Sequence, residues 1–300
     1  MVLLERLEED LSKFFRLNDF GPDPAFSRFI PAVYEKTDLD WKREFEPEFT
    51  ERFNGLMIRG GVEVGKIFLA VFPTEPILER FLEEGKRGDL LFMHHPITME
   101  CGDPRGDWGR GFIPIPTPLI RSIREKGLSI YTCHHPLDVH REVGTSLAIV
   151  EALGGNVIDS FFNECGLICE LDETDTDSLI QQAEEIFDIP YVDFEGQKRE
   201  NIRRIAVVAG CGDKVSALKE AEKKGAQAYL SGEIHCHIDN EYGRTRYREM
   251  MAYIRETSMS LIGVSHAASE YLVKKTRIKG WLEHRYGLEC VLVPQVKWWM

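Results

Sequence analysis

The chain has 300 residues, 43% apolar and 29% charged, enough to bury a large core without disulfides or structural metal; its length suggests two domains. Fifty acidic against 37 basic side chains give a formal charge of −13, which argues against a protein whose main task is coating duplex nucleic acid. No stretch approaches the ~20 apolar residues of a membrane span, and residues 1–9, which carry acids and no long apolar run, do not read as a secretory signal.

Leu3, Leu4, Leu7, Leu11, Phe14 and Phe15 recur at helical spacing, so the chain opens with an amphipathic helix. Gly21, Pro22, Pro24, Pro31 and Pro47 then punctuate an aromatic, acidic stretch, and residues 18–50 read as an irregular arm or lid. An ordered loop of that length is more often functional or interfacial than idle. From Gly65 onward, strand-like runs at 67–72, 89–93 and 128–133 alternate with helical patterns at 75–86, 119–126 and 145–153. The second half repeats the style. Helices are expected at 178–187, 214–224, 247–256 and 267–286, and strands at 204–209, 226–230, 260–264 and 290–293. Such alternation predicts α/β layering with mainly parallel pairing. The expected organisation is an arm over 1–50, a first α/β half over 51–160 and a second over 161–300.

One internal echo stands out. The run from Leu91 to Pro96 resembles that from Ile130 to Pro136: both are strand ends running into a His-His-Pro corner. Ligands gather at the carboxyl ends of strands in open α/β sheets, so both corners are expected to face one crevice. Eight of the nine histidines fall into three clusters: His94/His95, His134/His135/His140 and His235/His237/His266. Asp138, Glu233 and Glu270 lie close by in sequence. Imidazoles with carboxylates form a borderline-hard ligand set that suits zinc, iron or manganese. Pro96 lets the two preceding histidines converge by ending the strand. His266 and Glu270, four apart at a helix start with Ser265 as N-cap, share one helical face. Each element alone has a bland reading as a loop end, a solvated helical pair or a turn carboxylate; together they favour a metal site.

These residues resemble the Nif-three-like dinuclear metal centre family, whose members are often labelled GTP cyclohydrolase I type 2-like. The matching pieces, in order, are Asn54-Gly55-Leu56, His94-His95-Pro96 and the run from Tyr131 to Gly154. They are followed by residues 206–212 with a Gly-x-Gly turn, Ser231-Gly232-Glu233 with His237, and the run from Ser265 to Glu270. The resemblance covers residues 50–295. It implies two intertwined, similarly built α/β halves with mixed, mainly parallel sheets and a metal site in the cleft between them, assembled as a ring-shaped homohexamer. It also implies two divalent ions per subunit (Zn, Fe or Mn) held by His94, His95, Asp138, His266 and Glu270. Glu270 bridges both ions in that scheme, and His134 and His237 line the same cleft. The chain departs from the family at residues 70–74, where an Asp is usual, at Ser265, where Gly is usual, and over residues 1–50.

Two divalent ions activate water at neutral pH, and a nearby imidazole, His134 or His237, handles the proton as the catalytic acid or base. The implied activity is hydrolysis of a small molecule, a purine nucleotide such as GTP; the alternative is a non-catalytic metal-binding or regulatory ring protein. Arg244, Arg246, Arg248, Arg110 and Arg121 are candidate triphosphate partners, or simply exposed charges. Gly210-Cys211-Gly212 could meet an anion or merely make a tight turn. Lys274, Lys275, Arg277 and Lys279 read as a solvated face, which leaves nucleic acid and membranes as unexpected partners. Seven cysteines with no C-x-x-C pair give neither a disulfide framework nor a zinc ribbon. They read as reduced thiols in a cytoplasm, with Cys133 and Cys236 neighbours of the site rather than nucleophiles.

Overall fold

In the computed structural model, which describes residues 1–300, the apolar runs 66–69, 90–93 and 129–132 become adjacent parallel strands whose side chains are almost all buried on both faces. They belong to the first of two units. That unit comprises Met1–Met99, Phe112–His140 and Lys274–Val296; the second comprises Glu100–Gly111, Arg141–Val273 and Lys297–Met300. The chain therefore passes between units at 99/100, 111/112, 140/141, 273/274 and 296/297.

The sheet of the first unit runs Glu289–Leu292, Lys66–Leu69, Leu90–Met93, Ser129–Thr132, Gly55–Ile58; only the last strand is antiparallel to its neighbour. Helices Glu75–Glu84 and Thr117–Lys126 each carry Pro in the first turn, where a missing N–H costs nothing. The second of them stops at Gly127, which takes a left-handed φ of 68°.

The arm is more regular than its proline content predicts. Helices Phe26–Tyr34, Trp41–Glu44 and Pro47–Arg52 occupy much of it. Phe26, Ile30 and Tyr34 fall four apart on one buried face, and Asp23 Oδ1 accepts the N–H groups of Ala25 and Phe26 at 2.9 Å each. Pro47 starts its helix instead of breaking one. The arm's aromatics, with Trp41, Phe45, Phe49 and Phe53, are part of the first unit's core. Each is worth roughly 1.5–3 kcal/mol when fully buried, which outweighs the local proline signal.

The second unit is built on a six-stranded sheet in the order Asp193–Gly196, Ser260–Gly263, Ala228–Glu233, Ile202–Cys211, Gly166–Thr174, Asn156–Phe161. The three strands from Ser260–Gly263 to Ile202–Cys211 are parallel, and the flanking strands are antiparallel. Both units thus carry mixed sheets with parallel centres, the α/β class expected. The hairpin over 156–174 has no clear signature in the sequence. Its turn places Phe162, Asn163 and Glu164 at φ 51°, 53° and 67° without an Asn-Gly or Asp-Gly signal. The helix expected over 267–286 forms as His266–Val273, a π-helical segment Lys274–Ile278, and Lys279–Tyr286. No helix is long and apolar enough to cross a membrane.

Candidate metal centre

In the first unit, strands Leu90–Met93 and Ser129–Thr132 are neighbours with Met93 opposite Thr132, so the two His-His-Pro corners leave the sheet side by side. His94 and His95 turn out of the sheet together because both backbone N–H groups find the Val71 carbonyl, at 3.2 and 2.9 Å. The His94 ring is buried, with Nδ1 2.8 Å from the Cys133 carbonyl and Nε2 3.3 Å from Asp138 Oδ1. The carbonyl contact places the ring proton on Nδ1 and leaves Nε2, which faces Asp138, as an acceptor. The His95 ring packs against Phe26 and Phe72.

His134 precedes the short helix His135–Asp138, which swings Asp138 back toward the first corner. Its backbone N–H donates to Asn54 Oδ1 at 2.7 Å, and its Nδ1 lies 2.8 Å from Asp23 Oδ2. Nε2 is then the end that faces Asp138, 3.8 Å from its Oδ2. One ring nitrogen from each of His94, His95 and His134 lies within 4.8 Å of the others. His135 and His140 turn elsewhere. The former packs on Phe20, and the latter meets the Phe14 carbonyl with Nε2 at 2.9 Å.

Burial raises a carboxyl pKa, yet the His134 ring and the capped N–H groups hold Asp23 far below the usual carboxylate range. The same pairing holds the His134 pKa above the ordinary imidazole value, against its burial. Sequence reasoning identifies neither Asp23 nor Asn54 as a supporting residue. Asn54 stands inside a quoted motif, whereas Asp23 sits in a segment that reads as irregular.

In the second unit, Ser265 adopts a positive φ of 81° and its Oγ accepts the Ala268 N–H at 3.1 Å, the expected cap. His266 Nε2 lies 2.9 Å from Glu270 Oε1, and Nδ1 lies 3.5 Å from Glu233 Oε2, with all three side chains buried. Burial opposes a charged imidazole, but the two carboxylates push the His266 pKa well above its ordinary value. A proton held between carboxylates in a buried site marks a place that favours a cation. Gly210, at φ +67°, makes room for this pair, since a Cβ there would stand 2.9 Å from His266 Nε2 and closer still to Glu270 Oε1. Gly212 likewise yields to Ser231, so the Gly-x-Gly turn is explained by close packing.

His237 belongs to another cluster in this unit, its ring packed against Trp108, His235 and Tyr247 at 5.2, 4.5 and 5.4 Å. Burial and the neighbouring His235 push its pKa down to about 4. The candidate phosphate arginines are engaged nearby: Arg244 with Asp239, Arg246 with Asp213, and Arg110 with Glu100. Lys274 is buried with Nζ 3.8 Å from the centre of the Phe92 ring, so the late helix does not present the run of basic residues as one solvated face.

Both donor sets fit divalent ions by chemistry, being imidazole nitrogens with carboxylates beside them, and a bound cation would take the place of the proton that those carboxylates now hold on the ring. A family model described as Duf34/NIF3 (NGG1p interacting factor 3) matches residues 47–296. The chain belongs to the Duf34/NIF3 family. Among its relatives, the GTP cyclohydrolase 1 type 2 homolog of Pyrococcus horikoshii is 30% identical over 251 residues, 80% of this chain and 88% of that protein. The protein of the same description from Pyrococcus abyssi is 27% identical over 250 residues, with coverage of 80% and 88%. The crystal structure of TTHA1606 from Thermus thermophilus has a TM-score of 0.65 at 20% identity, covering 98% of each chain, a likeness of fold. The Duf34/NIF3 match spans both the corner histidines of the first unit and the late-helix pair of the second.

Proposed function

We propose that this Duf34/NIF3 protein is a metal-dependent hydrolase in which His94, His95, Asp138, His266 and Glu270 hold two divalent ions, with a purine nucleotide such as GTP as the substrate class. The observation that carries the reading is the convergence of His94, His95, His134 and Asp138 at two neighbouring strand ends. The description of the Pyrococcus relatives supports the substrate class. Two such ions supply an activated water at neutral pH and stabilise negative charge developing on the substrate.

The protein's own groups do the rest. Asp23 fixes the His134 ring through Nδ1, so that Nε2 is the atom that takes or returns a proton. Glu233 faces His266 Nδ1 and orients that ring, as carboxylates behind ligating histidines do. His237, with its pKa near 4, is neutral at pH 7 and serves as an acceptor. A homohexameric ring is part of the proposal by resemblance.

The test is elemental analysis of protein purified without added metal, repeated on Asp138→Ala and Glu270→Ala, alongside GTP turnover. Two ions per chain in the parent, fewer in each variant, and turnover abolished in both are expected. Metal-free parent protein, or unchanged metal content and turnover in both variants, would overturn the proposal. The near-complete burial of His94, His95 and His266 favours a second reading, a metal-binding or regulatory ring without turnover. Two bound ions with no hydrolysis of any nucleoside triphosphate would select it.

A further inference from the structure

At the carboxyl end of the second unit's parallel strands, Cys211 stands in register opposite Glu233, each the last residue of its strand. The chain then turns through Cys236. The segment that carries Cys101 is clamped to this turn, because the N–H groups of Gly102 and Gly109 both donate to the His237 carbonyl, at 2.9 and 2.7 Å. The sulfurs of Cys211 and Cys236 and a carboxylate oxygen of Glu233 consequently lie within 4.8 Å of one another, and the Cys101 sulfur, Glu233 and a ring nitrogen of His266 make a second such group, so Glu233 stands between the thiols and His266. Cys236 meets both of the other thiols. All three cysteines are free.

Glu233 is the telling member. It is 1% exposed, and neither carboxylate oxygen has a hydrogen bond of good geometry; the His266 ring that faces it, with Nδ1 3.5 Å away, is shared with Glu270, which lies closer at 2.9 Å and leaves Glu233 only partly met. A buried carboxylate in that condition costs several kcal/mol unless a cation or donor meets it. Thiols are weak donors and do not meet that need. Two sulfurs and a carboxylate oxygen converging at the end of a sheet do match the donor set of a tetrahedral cation.

We propose that Cys211, Cys236 and Glu233, with Cys101 as fourth donor, bind one divalent cation of borderline or soft character, such as Zn2+ or Fe2+, at a site separate from the histidine–carboxylate ligands. Binding releases the thiol protons to solvent, since a coordinating thiol is deprotonated by the ion itself. Without the ion, contact with the Cys236 thiol and then burial raise the Cys211 pKa, contact with the Cys101 thiol and burial raise that of Cys236, and burial raises that of Cys101, all well above the ordinary thiol value. Cys211 is only half-buried and gives the ion access. Its thiol donates to Asp213 Oδ1 at 3.1 Å, a bond given up on metal binding; Asp213 keeps Arg246, whose Nη2 lies 2.8 Å from Oδ1. Glu233 then faces the cation with one side and His266 with the other.

The experiment is Co2+ loading of the reduced full-length protein. Thiolate ligation gives intense near-ultraviolet charge-transfer absorption that imidazole and carboxylate ligands do not give. One Co2+ per chain with that band is expected, lost in Cys211→Ser and in Cys236→Ser and retained in Asp138→Ala. Zn2+ content should fall by one ion per chain in the double serine variant. Co2+ bound without the band, a band that survives the double variant, or an unchanged Zn2+ count would overturn the proposal. Far-ultraviolet circular dichroism checks folding; should Cys236→Ser fail it, the half-buried Cys211→Ser carries the same test. Retention of the band in Asp138→Ala separates this site from the proposed pair of ions.

Discussion

Asp23 Oδ2 lies 2.8 Å from His134 Nδ1, tying the arm to the second His-His-Pro corner while the other oxygen of the same carboxylate caps helix Phe26–Tyr34. Both partners are largely buried. Asp23→Ala is therefore expected to cost about 3–5 kcal/mol, the range for breaking a buried pair by removing one partner. Asp23→Asn keeps the cap and should cost less, while the His134 pKa falls because its charge partner is gone. Urea unfolding and the histidine resonances against pH measure the two effects; an unmoved His134 titration in Asp23→Asn would refute the pairing.

Gly210→Ala places a methyl group against the His266–Glu270 pair at a left-handed backbone position. Losses of about 1–3 kcal/mol in stability are expected from strain and displaced side chains, together with reduced metal content. Gly154, at φ +74° with nothing within 4 Å of its would-be Cβ, is the control. Gly154→Ala should show backbone strain of about 1–2 kcal/mol and full metal content. Equal metal content in both variants would show that Gly210 does not serve the site.

Burial pushes the Asp193 carboxyl up to about 6; His235, Glu195, Arg105 and Asp103 face it. A pKa raised on folding means that the native state binds the proton more tightly. Its contribution is full below the ordinary carboxyl pKa and is lost as pH rises through about 6. Relative to Asp193→Asn, the parent should gain about 2–3 kcal/mol between pH 7 and pH 4. Thermal unfolding of both proteins across that range gives the difference directly. Parallel stability curves would contradict it.

His237 should titrate near 4, since burial beneath Trp108 and the adjacent His235 both disfavour its charged form. Trp108→Ala admits water and is expected to return the midpoint toward the ordinary imidazole value of about 6.5. Two-dimensional NMR of the imidazole ring follows it. A midpoint that stays near 4 in the variant would assign the whole shift to His235.

Much of this protein is legible in its sequence. Strands such as 90–93 and helices such as 117–126 are written in apolar periodicity, which depends on local geometry alone. The repeated His-His-Pro corner marks two strand ends, and their adjacency follows from the parallel α/β rule, as the Met93–Thr132 register bears out. His266 and Glu270 are a pair because four residues is one helical turn.

What only the tertiary structure decided lies wherever long-range burial overrides local signals. The arm's prolines predict irregularity, but its aromatics gain more by packing into the first unit's core than the prolines cost. Asp23 becomes the support of His134 across 111 residues of chain, a relation that no local spacing encodes. In the sequence Cys101 and Cys211 read only as reduced thiols and Cys236 as a neighbour of the histidine site, because their convergence on Glu233 depends on strand register and on a clamp at the His237 carbonyl. Covalent order sets which neighbours a residue has along the chain; burial of apolar surface chooses the ones it meets in space.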